Sequence, residues 1–141
     1  LRYLFLQWVP QTVSTLRLRY FQEAIKEIFT TRFLSRNAEI TIIRDCGLEG
    51  TVELTSLPRG LQFLSLAGNY LNGTVTLDFL PESLRRIVLY ENPIAAVIVS
   101  NAALSEKFEE ARFQRKAKEV GAIRVYEIRG QKVDKRIVLK T

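Results

Sequence analysis

A step of 23 residues relates one part of this chain to the next, and few folds accommodate such a rule. Leu57-Pro58 and Leu80-Pro81 stand one step apart, and one step before Leu57 is Leu34. The same step carries Leu48 onto Leu71, Gly50 onto Gly73, Val52 onto Val75, and Cys46 onto Asn69 and then Asn92. So many matches in one register identify a true repeat. A unit this short has no core of its own and buries its apolar face only against its neighbours, which predicts stacked coils.

The unit is clearest in Leu61-Gln62-Phe63-Leu64-Ser65-Leu66-Ala67-Gly68-Asn69-Tyr70-Leu71 and its successor Leu84-Arg85-Arg86-Ile87-Val88-Leu89-Tyr90-Glu91-Asn92-Pro93-Ile94. Leu64 and Leu66 alternate, so both face the same side of a short strand and enter the core. Asn69 follows at the strand's end, where a side-chain amide can bond the backbone of its own turn and of the neighbouring coil. Gly50 and Gly73 fit the return segment, at positive φ or where coils pack closely. Both units fit L-x-x-L-x-L-x-x-N-x-L, which resembles the leucine-rich-repeat family, strongly from Leu57 to about Asn101 and less fully from Leu34 to Ser56. The resemblance implies an α/β solenoid with a short parallel sheet on its concave side. It also implies a buried structural role for Cys46, since the family accepts Asn or Cys at that place. Nothing near Cys46 in the sequence would lower a thiol's pKa. The Leu-Pro endings and the Asn-x-Leu-x-Gly-Thr-Val stretch are similar to repeats of protist proteins, including kinetoplastid ones, which implies a eukaryotic, intracellular context.

The whole chain, 1–141, reads as a single domain. Leu4 to Pro10 matches Val52 to Pro58 and Val75 to Pro81 without a gap, so the chain opens inside a repeat. Four strands are expected, at Thr15–Arg19, Ile40–Arg44, Phe63–Ala67 and Arg86–Tyr90, one for each of about four coils. Segment 1–33 is the atypical beginning, because its unit is two residues longer and places Phe21 where the asparagine belongs. Phe21, Ile25, Ile28, Phe29 and Phe33 have helical spacing and predict a convex-side helix over 21–33. The regular 23-residue units occupy 34–102, with convex segments rich in Thr, Val and Gly that read as extended. In 103–141, Leu104, Phe108, Ala111, Phe113, Ala117 and Val120 predict a helix over 102–120, ended by Gly121. Alternation from Ile123 to Ile128 and from Val133 to Leu139 around Arg129-Gly130-Gln131 predicts a β-hairpin. Helix and hairpin together read as a cap on the last coil; the rival reading is a separate basic binding module. The apolar start, with Leu4, Leu6 and Trp8, either covers the first coil or has lost a coil before it.

Composition removes whole classes of function. There is no His and a single Cys, so metal clusters and histidine acid–base machinery are not to be expected, nor is any cofactor. Ser65, Ser83, Ser100 and Ser105 have no neighbouring base, and Glu109 and Glu110 diverge as adjacent residues on a helix. The chain reads as no enzyme. One Cys excludes an internal disulfide and favours a reducing, intracellular compartment, and no apolar run approaches the ~18 residues of a membrane span. Asn72-Gly73-Thr74 is a lone glycosylation triplet without other signs of secretion. The chain begins at Leu1 and contains no Met, as expected of a piece cut from something longer. The net charge of +6 divides into +3 for residues 1–46, −2 for 47–103 and +5 for 104–141, so the ends are the basic parts.

If alternate residues enter the core, the others form the concave surface. Beside Thr15 and Ala67, these are Arg17, Arg19, Ile40, Ile42, Arg44, Phe63, Ser65, Arg86, Val88 and Tyr90. An apolar middle of Ile40, Ile42, Phe63 and Val88 is expected, ringed by Tyr90 and four arginines. Arginine and aromatic residues are the favoured anchors of protein interfaces, and a contiguous exposed apolar patch marks a contact site. The expected function is therefore a protein–protein interaction module using this face. The alternative is a structural or RNA-contacting subunit of a ribonucleoprotein, acting through its basic ends.

Overall fold

The computed structural model of the chain describes residues 6–20, 28–114 and 123–139. Ten strands follow in order: β1 (Thr15–Arg19), β2 (Ile40–Arg44), β3 (Glu49–Thr51), β4 (Phe63–Ser65), β5 (Tyr70–Leu77), β6 (Arg86–Val88), β7 (Ile94–Val99), β8 (Glu110–Arg112), β9 (Arg124–Glu127) and β10 (Ile137–Val138). Among the described residues they form two sheets, one ordered β1-β2-β4-β6-β8-β10 and the other β3-β5-β7-β9. All pairings are parallel, because each coil travels round in the same direction and returns one strand width along. The molecule is a parallel β-solenoid of about five turns.

The inward columns follow the alternation read in the sequence. Leu64, Ile87 and Ala111 stand in register, as do Leu66, Leu89 and Phe113 by position in their coils, and all six are sealed from solvent. The second sheet supplies the facing wall through Leu71, Val75, Leu77, Ile94, Val97 and Val99, all equally buried. The extended returns explain this second sheet: Thr-Val and Ile-Val runs prefer pleated backbone, and each return lies beside the next. Gly73 turns at φ 78°, and a Cβ there would stand 2.8 Å from the Thr51 methyl on the adjacent return. Gly50, at φ 105°, is crowded in the same way by Ile28.

Four coils leave the six-stranded sheet through one left-handed residue each. Tyr20, Asp45, Gly68 and Glu91 hold this place at φ 62°, 54°, 71° and 58°. Two of the residues that follow are the repeat asparagines. The Asn69 Oδ1 accepts from the N–H groups of Cys46 (3.0 Å) and Leu48 (3.2 Å), while its Nδ2 donates to the carbonyls of Ile43 (2.8 Å) and Leu66 (2.8 Å). Asn92 repeats the arrangement one coil later, accepting from Leu71 and donating to Leu66 and Leu89. Each amide thus joins its own coil to the one before. Cys46 is fully buried at the equivalent place, and its thiol donates to the Arg44 carbonyl at 3.1 Å.

The structure corrects both helices and the hairpin. Residues 21–27 of the first expected helix lie outside the described residues. Its remainder is not helical: Ile28 bridges to Glu49 in parallel fashion, and Thr31–Phe33 is a single 3-10 turn. For the second, Asn101–Ala103 is a 3-10 turn and Glu110–Arg112 is β8, paired with β6; positions 115–120 lie outside the described residues. The expected hairpin partners part company, β9 joining β7 in one sheet and β10 joining β8 in the other. This segment is a further coil, so the six-stranded sheet has two strands more than the four expected.

That last coil exchanges buried apolar groups for satisfied polar ones. Glu127 pairs in register with the core residue Val99. Burial opposes its charge, but backbone N–H donors of Gln131, Arg129 and Asn101 outweigh this and hold its pKa below the usual carboxylate range. Asp134 stands three residues before Ile137, as Phe108 does before Ala111. The Arg136 guanidinium grips its carboxylate at 2.9 Å and draws its pKa from 3.8 to about 2. Arg136 also donates to the carbonyls of Ser105 and Phe108 in the preceding coil.

Two measurements follow. Asn69→Ala strands buried donors and acceptors in two coils and should lower the unfolding free energy by about 3 kcal/mol or more in urea titration, whereas Cys46→Ala should cost roughly 1 kcal/mol. Because the folded-state pKa of Asp134 is depressed, its stabilisation is complete above the unfolded value of about 4 and is lost as pH falls towards 2. Wild type should lose roughly 2 kcal/mol between pH 5 and pH 2 that Asp134→Asn does not lose, read from urea midpoints across that range.

Candidate interaction surface

The alternation that fills the core leaves one broad outward face on the six-stranded sheet. Across it run Thr15, Ile40, Phe63, Arg86 and Glu110 in one row, and Arg17, Ile42, Ser65, Val88, Arg112 and Val138 in the next. Arg19 and Arg44 are paired in a third row, which continues past the short strands through Ala67, Tyr90 and Gln114. All ten residues singled out from the sequence share this face.

Their exposure differs from expectation. Ile42, Ser65 and Val88 are 8%, 2% and 5% exposed, so two of the four residues of the expected apolar middle are closed to solvent. The cause is geometric: adjacent strands lie about 4.8 Å apart, and a short side chain between long ones is roofed over. The Arg86 guanidinium lies 5.5 Å from the centre of the Phe63 ring on the neighbouring strand. Arg44 reaches across the buried Ala67 to lie 5.4 Å from the Tyr90 ring. Ile40, Phe63, Arg44, Arg86 and Tyr90 are half-buried, while Arg17 and Arg19 are exposed. What the face presents is arginine laid over aromatic rings.

Three further residues on this face, Glu110, Arg112 and Gln114, were hidden in the sequence by the helical reading of their coil. Glu110 accepts from Arg86 through Nε (2.9 Å) and a terminal nitrogen (2.6 Å), and the Arg112 Nε stands 3.0 Å from its other oxygen. The Arg112 guanidinium, seconded by that of Arg86, lowers the Glu110 pKa against the opposing effect of partial burial. Three buried atoms of the face, Arg44 Nε, Arg112 Nε and Gln114 Oε1, make no hydrogen bond of good geometry, although Arg112 Nε is ion-paired with Glu110.

Away from this face, an open cleft of about 730 Å³ crosses the corners of successive coils, lined in part by Gln11, Arg32, Arg36 and Arg59. Among the described residues no group of three His, Cys, Asp or Glu side chains is placed to hold a metal, and no helix is long and apolar enough to cross a membrane.

Fold and surface together define a class, a parallel β-solenoid carrying an arginine–aromatic face on its longer sheet. No family model, curated protein or solved structure matches the chain.

The ion-pair triad is held in place yet exposed enough to be screened. Glu110→Gln should therefore shift the unfolding free energy by no more than about 1 kcal/mol, with the difference from wild type shrinking further at 1 M salt.

Proposed function

We propose that this chain is a non-catalytic protein-interaction module of the leucine-rich-repeat kind, whose partner seats on the outward face of the six-stranded sheet. The observation that carries the reading is the pair of stacked contacts, Arg44 on Tyr90 and Arg86 on Phe63. Arginine and aromatic side chains contribute most to protein interfaces, and here they are already held in fixed positions, which reduces the entropy lost on binding. Support for the leucine-rich-repeat assignment comes from the L-x-x-L-x-L-x-x-N register and the two asparagine stitches. Protist origin and an intracellular setting rest on the sequence resemblance alone.

The test is affinity capture from the native cell with wild type and a Phe63→Glu/Tyr90→Ala double variant, both first checked for matching circular dichroism. Partners recovered by wild type should be lost by the variant. Recovery of the same set by both would exclude this face. If what is recovered is RNA, and its retention falls steeply with salt, the ribonucleoprotein reading takes its place.

A further inference from the structure

The outward face contains its own example of what it binds. At its β6–β8 end, Glu110 lies between Arg86 and Arg112 and is ion-paired with both. At the β1–β2 end, among the described residues, the cations have no acid paired with them. Arg17 and Arg19 project from β1 and Arg44 from β2, with Arg19 and Arg44 directly in register. Like charges facing each other across a strand pair are destabilising. Among the described residues none of the three forms an ion pair, the acids that flank β2, Glu39 and Asp45, included. Arg44 is moreover anchored over Tyr90 with its Nε buried and unpartnered.

We propose that the β1–β2 end of this face binds an extended acidic segment of a partner protein, with carboxylates occupying the place that Glu110 fills at the other end. The inference rests on the sheet-face reading and specifies the partner's chemistry. Arg17 and Arg19 are two residues apart on one strand, a spacing of nearly 7 Å that matches alternate side chains of an extended peptide. Guanidinium groups bind carboxylates through paired hydrogen bonds, which a peptide of alternating acids would offer repeatedly. Single-stranded nucleic acid fits less well, because its recognition relies on open aromatic faces. Here Phe63 and Tyr90 each have an arginine over the ring.

The experiment is fluorescence anisotropy with a labelled peptide of alternating Glu and Thr, about ten residues long. A labelled oligo-uridine of similar length is the second arm. Wild type should bind the peptide saturably and more tightly than the oligonucleotide. Arg17→Glu/Arg19→Glu should weaken peptide binding at least about tenfold at low salt. Arg36→Glu/Arg59→Glu makes the same change in net charge at the corner cleft and should leave it within about twofold. Arg17→Gln/Arg19→Gln, a milder pair, should reproduce the loss if charge reversal disturbs folding. Absence of saturable peptide binding, an equal loss in the corner variant, or preference for the oligonucleotide overturns the proposal. Its failure is separable from failure of the sheet-face reading. Captured partners that depend on Phe63 and Tyr90 but not on Arg17 and Arg19 would retain the face and discard the acidic segment.

Discussion

This solenoid depends on closing the corner where each coil leaves the longer sheet, and in two coils a buried amide does so. A strand that leaves the sheet must turn its backbone inward, and the turn exposes donors and acceptors to an apolar interior where each unpaired group costs on the order of 1–3 kcal/mol. Asn69 and Asn92 meet that demand with one side chain apiece, accepting from the coil before and donating both to that coil and to their own. The turn needs a left-handed residue at that corner, and the four described corners have one, including Asp45 and Glu91 where glycine would be easier. Non-glycine residues are seldom found there, and the strain is accepted because the neighbouring coils fix the corner from both sides. At Gly68 the absence of a Cβ has a further use, since one would run into the Asp45 carboxylate.

The same constraint separates what was legible in the sequence from what was not. The four strands around Leu64 and its equivalents were readable because the asparagine-containing units fixed the register from which the others were counted. The coil from Leu104 was missed although it has the same apolar spacing as its predecessors. Leu104, Phe108, Ala111 and Phe113 repeat the intervals of Leu57, Leu61, Leu64 and Leu66. The later members stand four, seven and nine residues beyond the first, and the first three overlap the helical period. Without Pro after Leu104, and with Glu and Lys in between, local propensity favours the helix. Tertiary stacking decides otherwise, because β6 offers an open edge and β8 completes it. Had the register been extended by one step beyond Ile87, allowing for a single inserted residue, Ala111 would have appeared as its partner.

The last coil was obscure for a different reason. Here the residues that betray the repeat are the ones replaced by polar side chains. Glu127 stands in register with Val99, and Asp134 occupies the place held by Phe108 one coil earlier. Both carboxylates are held by hydrogen bonds, from the backbone in one case and from Arg136 in the other. The alternation of Val125 and Ile137 survives, and it reads equally well as a hairpin or as two strands in separate sheets. Only the parallel direction imposed by the preceding coils distinguishes them.

The outer face follows a looser logic than the core. Inward columns are confined to apolar residues of limited size, while the outward columns need only tolerate a neighbour one strand width away. That spacing has a consequence for recognition: small outward residues such as Ser65 and Val88 vanish beneath arginines that lie down across the sheet. The sequence shows which residues point outward but not which of them remain reachable, since reach depends on side-chain length across strands that are 23 to 25 residues apart in the chain. An apolar patch in one dimension becomes a layer of guanidinium over aromatic carbon in two. Such a layer is dry below and charged above, and its charge is partly offset by Glu110 at one end and, among the described residues, by no ion-paired acid at the other. The asymmetry costs the isolated fold some electrostatic repulsion between Arg19 and Arg44, and nothing in the core requires it.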